Sequence, residues 1–247
     1  MDRFFVRILR GAVIEVVTRW RPLFRALVVP AVLMIGTSYA TQYLMQWQYK
    51  TYGSIDGVQA LGYVQLVLWL LLYALFGMSC HRIILLGEGS LPSRFGIYWT
   101  LRETRFLGWV ILVGAIYMLM LLPFQLAAAY LGRSIPSNWP LWLFFSWAPL
   151  LLATYIDGRV SMVLPATAIE ERSSIVESWR LTRGRGLHIA AALFIVAIAS
   201  DLVGMGTNYL FKELALVGRM LSNAVNFPLI AVAVGIISVT YRELTEE

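Results

Sequence analysis

Six long apolar runs constrain this chain more than anything else in it: roughly Arg25 to Met45, Val58 to Ser79, Phe106 to Leu131, Trp139 to Leu164, Leu187 to Leu210 and Met220 to Tyr241. About 20 apolar residues in a helix cross the ~30 Å hydrocarbon core of a bilayer. A lone segment in that medium can satisfy its backbone only by closing its own hydrogen bonds. The runs therefore predict an all-α polytopic membrane helix bundle with six transmembrane helices, one integral membrane domain over residues 1–247. Composition agrees, because 59% of residues are hydrophobic and only 14% are charged, against about 25% charged in an ordinary soluble domain.

The net charge of +6 is read as topology rather than as a nucleic-acid surface. The N-terminal segment, the two loops on its side and the C-terminal tail carry 6, 4, 5 and 1 Lys or Arg, while the three links on the other side carry 1, 1 and 2. By the positive-inside rule both termini are expected in the cytoplasm. Trp20, Trp99 and Trp179 then fall at the inner interface and Trp47, Trp139 and Trp142 at the outer one, as an aromatic belt requires. Of the 20 basic residues 18 are Arg, a usage that points to a bacterial source and hence to the inner membrane. The N-terminus has no apolar core followed by a small-residue cleavage site, so no cleaved signal peptide is expected.

The polar segments on the basic side have a pattern of their own. Phe5, Ile8, Leu9, Ala12, Val13, Val16, Val17 and Trp20 recur at helical spacing. They predict an amphipathic helix that either lies in anionic headgroups or packs on the bundle. Pro22 is expected to end it or bend the chain into the first span, and a polar link, Gln46 to Gly57, to join spans one and two. A half-polar stretch, Arg94 to Arg105, places Phe95, Tyr98 and Trp99 together, and Ser174 to Arg183 opens with Ser174-Ile175-Val176-Glu177, a capping-box signature. Three interfacial amphipathic helices follow.

Thr-Arg recurs at Thr18-Arg19, Thr104-Arg105 and Thr182-Arg183, each after a glutamate, and the helix pairs that follow end at Arg82, Arg159 and Arg242. This predicts three repeat units, residues 4–82, 91–159 and 172–242, in one orientation about an axis along the membrane normal. Arg19, Arg105, Arg183, Arg82, Arg159 and Arg242 are its candidate interfacial anchors. Arg159 is expected to meet a lipid phosphate or one of Glu170, Glu171 and Glu177.

Chemistry-bearing motifs are sparse. The sequence has no HExxH, GxSxG or P-loop lysine. His81 and His188 lack a cysteine or carboxylate partner in ligand spacing, so no metal or cofactor is expected, and Cys80 reads as an apolar filler. Asp201 is the one acid well inside an apolar run, and ionisable residues in spans are functional candidates by default. Asn223 and Asn226 are its expected partners in a polar site. The competing expectation places Asp201 at the outer interface.

The string Arg159–Arg185 (RVSMVLPATAIEERSSIVESWRLTRGR), with His81-Arg82 at the end of span two and the terminal Tyr241-Arg242-Glu243-Leu244, resembles the multi-pass membrane domain of bacterial glycerophosphoryl diester phosphodiesterases and of related stand-alone inner-membrane proteins. In that family hydrolysis belongs to a separate soluble barrel domain, so the resemblance implies the membrane scaffold without the enzyme. The expected function is a non-enzymatic scaffold that organises lipid, through anionic headgroups, or a protein partner at the cytoplasmic face. The alternative is a small-solute or ion permease built around Asp201.

Overall fold

The computed structural model describes residues 3–53, 55–91, 98–131 and 139–246, and all the regular structure among them is helical. In chain order the α-helices are α1 (Arg3–Thr18), α2 (Trp20–Tyr52), α3 (Ile55–Leu86), α4 (Leu101–Leu131), α5 (Trp139–Val160), α6 (Val163–Ala168), α7 (Ile175–Leu181), α8 (Gly186–Leu210) and α9 (Ala215–Glu246). Five of them, α2, α3, α4, α8 and α9, are long and apolar enough to cross a membrane. The molecule is a membrane protein on that ground. The ends of α3, α5 and α9 and the starts of α2, α4 and α8 gather with α1, α6 and α7 at one end, here called the basic end.

Several helices overrun the apolar runs that predict them. α2 has 33 residues, about 50 Å at 1.5 Å per residue, against ~30 Å of hydrocarbon. The expected polar link at Gln46 to Gly57 is therefore mostly helix. α2 continues to Tyr52 and stops at Gly53, whose φ of 62° suits a residue without a Cβ and whose N–H donates to Tyr49 O at 3.0 Å. Pro22 likewise ends nothing. It lies in the first turn of α2, where no intrahelical N–H is needed, and the break falls at Arg19 alone. Arg19 N still reaches Glu15 O at 3.0 Å, and Leu23 N reaches Arg19 O at 3.1 Å. Pro30, Pro123, Pro149 and Pro228 are inside helices, as a membrane allows when other groups satisfy the freed carbonyls.

Packing is concentrated at the basic end. Phe76, Met78, Cys80, Ile83 and Ile84 of α3, Phe106 of α4, Ala153 and Val160 of α5, Ile189 and Ala192 of α8 and Ile236 and Val239 of α9 are all buried. Nearer the far end Tyr43, Trp47, Tyr63, Leu119, Leu126 and Tyr209 are exposed. Lipid tails are as apolar as these side chains, so such helices need not bury them against one another. α5 and α8 approach closely at Gly158, where a Cβ would stand 3.0 Å from Ile189 Cγ2. Between α2 and α3 the far half is held by polar contacts, with Thr41 Oγ1 2.7 Å from the Gln65 amide and Trp69 Nε1 donating to Ser38 Oγ at 2.8 Å.

Two short elements fill the basic end. α1 buries Phe4, Ile8 and Ala12 against Ile189 of α8 and Ile236 and Tyr241 of α9. This bears out the expected packing on the bundle, while Val13, Val17 and Trp20 of the expected stripe stay exposed. α6 is buried at every residue and packs against α3, α4 and α9. The run that the sequence reads as one span ending near Pro165 instead leaves α5 at Val160 and turns through Ser161 and Met162. α6 then plugs the bundle.

Candidate functional site at the basic end

The last four carbonyls of any helix lack intrahelical partners and carry the negative end of its dipole. Here arginines from elsewhere in the chain dock onto three such ends. Arg19 donates to Ile83 O, and to Ile84 O at 3.1 Å, near the end of α3. Arg82 donates to Ala168 O, the last residue of α6, at 2.7 Å, and to Ser90 O at 2.9 and 3.1 Å. Arg159 donates to Trp179 O near the end of α7 and to Thr182 Oγ1 at 3.1 Å, with its guanidinium 3.8 Å from the centre of the Trp179 ring. A planar, delocalised cation suits both contacts.

Arg159 thus meets none of the three glutamates expected for it. Glu170 pairs with Arg102 at 2.7 Å and lies 3.6 Å from Arg82, while Glu171 accepts from Tyr241 Oη. The cause is position. Arg159 projects from the last turn of α5 into the gap beneath α7, where carbonyls are nearer than carboxylates. Ser178 Oγ in turn donates to Arg159 O at 2.6 Å, so α5 and α7 hold each other from both sides. Gly186 leaves room for this arrangement, since a Cβ there would come within 2.9 Å of Arg159 Cδ and Tyr155 Cε2.

The six anchors divide into two groups. Arg159 and Arg242 each engage the segment that starts the next helix pair, Trp179 and Thr182 for the first and Glu15, at 2.9 Å, for the second, whereas Arg82 reaches Ser90 in the turn just after its own helix. The Thr-Arg arginines differ from one another. Arg19 pairs with Glu15 at 2.8 Å, whereas Arg105 and Arg183 are exposed. The segments before them differ too, because α1 and α7 are helices while residues 98–100 are not. The remainder of the expected second amphipathic helix, residues 94–97, lies outside the described residues.

The start of α4 is built by a cap that the reading above passes over. Thr100-Leu101-Arg102-Glu103 carries the same signature as Ser174–Glu177. Thr100 N donates to Glu103 Oε2 at 2.7 Å, Thr100 Oγ1 donates to the same oxygen, and Thr100 Oγ1 accepts from Arg102 N at 3.3 Å. Glu103 is fully buried, and Arg102 Nε lies 3.0 Å from its other oxygen. Burial, and after it the Glu103 carboxylate, pushes the nearby Tyr98 phenol above its ordinary range. The Ser174 cap forms as expected, its hydroxyl accepting from Glu177 N at 3.2 Å.

Between the start of α4 and the loop after α6 opens an amphiphilic cavity of about 740 Å3, lined by Thr100, Leu101, Arg102, Arg105, Trp109, Thr167, Glu170, Glu171, Arg172 and Ser173. Glu170 takes a left-handed backbone, φ 68°, at this rim. Arg105 and Arg172 are exposed, with no hydrogen bond or ion pair among the described residues.

The expected polar site is arranged differently from its prediction. Asp201 is exposed on α8 and has no partner among the described residues. Its neighbour Ser200 instead donates to Asn226 Oδ1 at 2.6 Å, and Asn226 Nδ2 donates to Ser222 Oγ at 3.3 Å. Asn223 is half-buried one turn from Asn226. The histidines are apart. His81 Nδ1 is 2.8 Å from Ser238 Oγ with its ring edge-on to Phe106, and His188 stands edge-on to Phe4. Among the described residues no three His, Cys, Asp or Glu side chains gather as a metal site. Compared with protein-family models, curated proteins and solved structures, the chain matches none.

Proposed function

We propose that this chain is a non-enzymatic multi-pass protein of a bacterial inner membrane, with α5 as a sixth crossing, both termini in the cytoplasm and the basic end organising anionic lipid headgroups or a protein partner. The observation that carries the reading is the division of labour among the arginines. Arg19, Arg82, Arg159 and Arg242 are turned inward to hold helices together, while Arg10, Arg105, Arg172, Arg180 and Arg183 remain exposed at the same end. Each exposed basic residue near an anionic surface contributes about 1 kcal/mol of attraction. The engagement of Arg159 and Arg242 with the following unit also supports the three repeats.

Two experiments test this. Alkaline phosphatase fused after Glu247 is expected to be inactive, and an active fusion would reverse the orientation. Protein purified from native membranes in mild detergent is expected to carry anionic phospholipid in excess over its share of the membrane; lipid in bulk proportion, with no associated protein, refutes the organising role.

The permease reading is favoured by one observation, the Ser200–Asn226–Ser222 chain of hydrogen bonds inside two spans and beside Asp201. Coupled solute uptake in proteoliposomes that Asp201→Asn abolishes would establish it.

A further inference from the structure

We infer that the amphiphilic cavity between the start of α4 and the loop after α6 is a discrete binding site for the phosphate of an anionic phospholipid, an inference that rests on the lipid-organising reading above. The local charge is in surplus. Arg102 and Arg105 of α4 and Arg172 of the loop line a volume of about 740 Å3 together with Glu170 and Glu171. Both carboxylates are already engaged, Glu170 by Arg102 of the same cavity and by Arg82, and Glu171 by Tyr241. Arg105 and Arg172 are left as exposed guanidiniums, forked donors that match phosphate oxygens. Ser173 adds a hydroxyl from the loop.

A lipid is the occupant because the cavity is amphiphilic along its length. Arg105 and Trp109 stand on successive turns of α4. Leu101 beside them and Leu112 and Leu119 further along the same face of α4 are exposed apolar side chains. A phosphate held at Arg105 and Arg172 therefore has a surface for its acyl chains running down α4. A free phosphate would use the guanidiniums and leave that surface idle.

The test is native mass spectrometry of the detergent-solubilised full chain with three separate probes: phosphatidylglycerol, phosphatidylcholine of the same chain length, and inorganic phosphate. Arg105→Gln/Arg172→Gln is expected to weaken phosphatidylglycerol binding about thirtyfold, which is roughly 2 kcal/mol, with an unchanged unfolding temperature. Arg180→Gln, an exposed arginine outside the cavity, is expected to bind as the parent does. Should the double variant fail to fold, Arg172→Gln alone, in an exposed loop, is expected to lose about fivefold. Phosphatidylglycerol preference that survives these substitutions overturns the site while leaving the lipid-organising reading intact. A parent chain that binds phosphatidylcholine equally well overturns both. Inorganic phosphate that binds alone and displaces the lipid makes the ligand a soluble anion and also overturns the inference.

Discussion

Arg159 offers the sharpest test of how the basic end is held. The guanidinium is nearly buried, at 8% exposure, and its acceptors are the neutral Trp179 O, Thr182 Oγ1 and, at 3.3 Å, Tyr155 Oη. Two good charge-assisted hydrogen bonds contribute about 1.5 kcal/mol each at the low end of their range, and a desolvated guanidinium on tryptophan about 1 kcal/mol more. Removing the cation also removes its desolvation cost, which returns part of that sum. Arg159→Ala is therefore expected to destabilise by about 3 kcal/mol. For a chain of this size 1 kcal/mol corresponds to roughly 3 °C, so the apparent Tm should fall by about 9 °C, read by tryptophan fluorescence in detergent. Arg159→Lys keeps the charge but not the fork or the flat stack, and should lose about half as much. An alanine variant melting within 2 °C of the parent would refute the claim that this arginine joins α5 to α7. A lysine variant equal to the parent would show that charge alone suffices.

Other expectations follow from the same contacts. Thr100→Ala removes the hydroxyl that accepts from Arg102 N and donates to Glu103; it should cost about 1 kcal/mol, the usual worth of an N-cap, and Glu103→Gln should lower the Tm further. Ser238→Ala leaves His81 Nδ1 without its partner in a buried site, at about 1–3 kcal/mol, and the double variant His81→Phe/Ser238→Ala should recover part of that loss in the same melting assay. Asp201→Asn, at an exposed position without a described partner, should leave expression and Tm unchanged; a large drop in either would mean that the carboxylate has a structural partner.

Much of the architecture is legible in the sequence because lipid imposes a simple rule. A run such as Leu187 to Leu210 leaves the backbone little choice but a helix, and α8 spans Gly186–Leu210. The helix ends are less legible, because hydropathy marks where lipid stops and not where the hydrogen-bond ladder stops. Gln46 to Tyr52 is polar and helical alike. The Ser174 cap was readable, and Thr100–Glu103 is equally so by its own residues. The partners of Arg159 were not readable at all, since sequence displays carboxylates as attractive targets and conceals the carbonyls at a helix end. α6 was hidden for a related reason: VLPATA has no period of its own, and only the meeting of α3, α4 and α9 around it makes it core.

Arginines docked on main-chain carbonyls have a consequence for how this protein tolerates change. Where two side chains form a pair, loss of one can be repaired by altering the other, and the two positions drift together. At Ile83, Ala168 and Trp179 the acceptor belongs to the backbone, so any residue there presents the same oxygen. A substitution there keeps the acceptor oxygen itself, and is limited instead by the burial of Ile83 and Ala168 and by the stack of the Trp179 ring on Arg159. The bonds that Arg19, Arg82 and Arg159 make to these carbonyls, by contrast, have no partner side chain at which a compensating substitution could restore them.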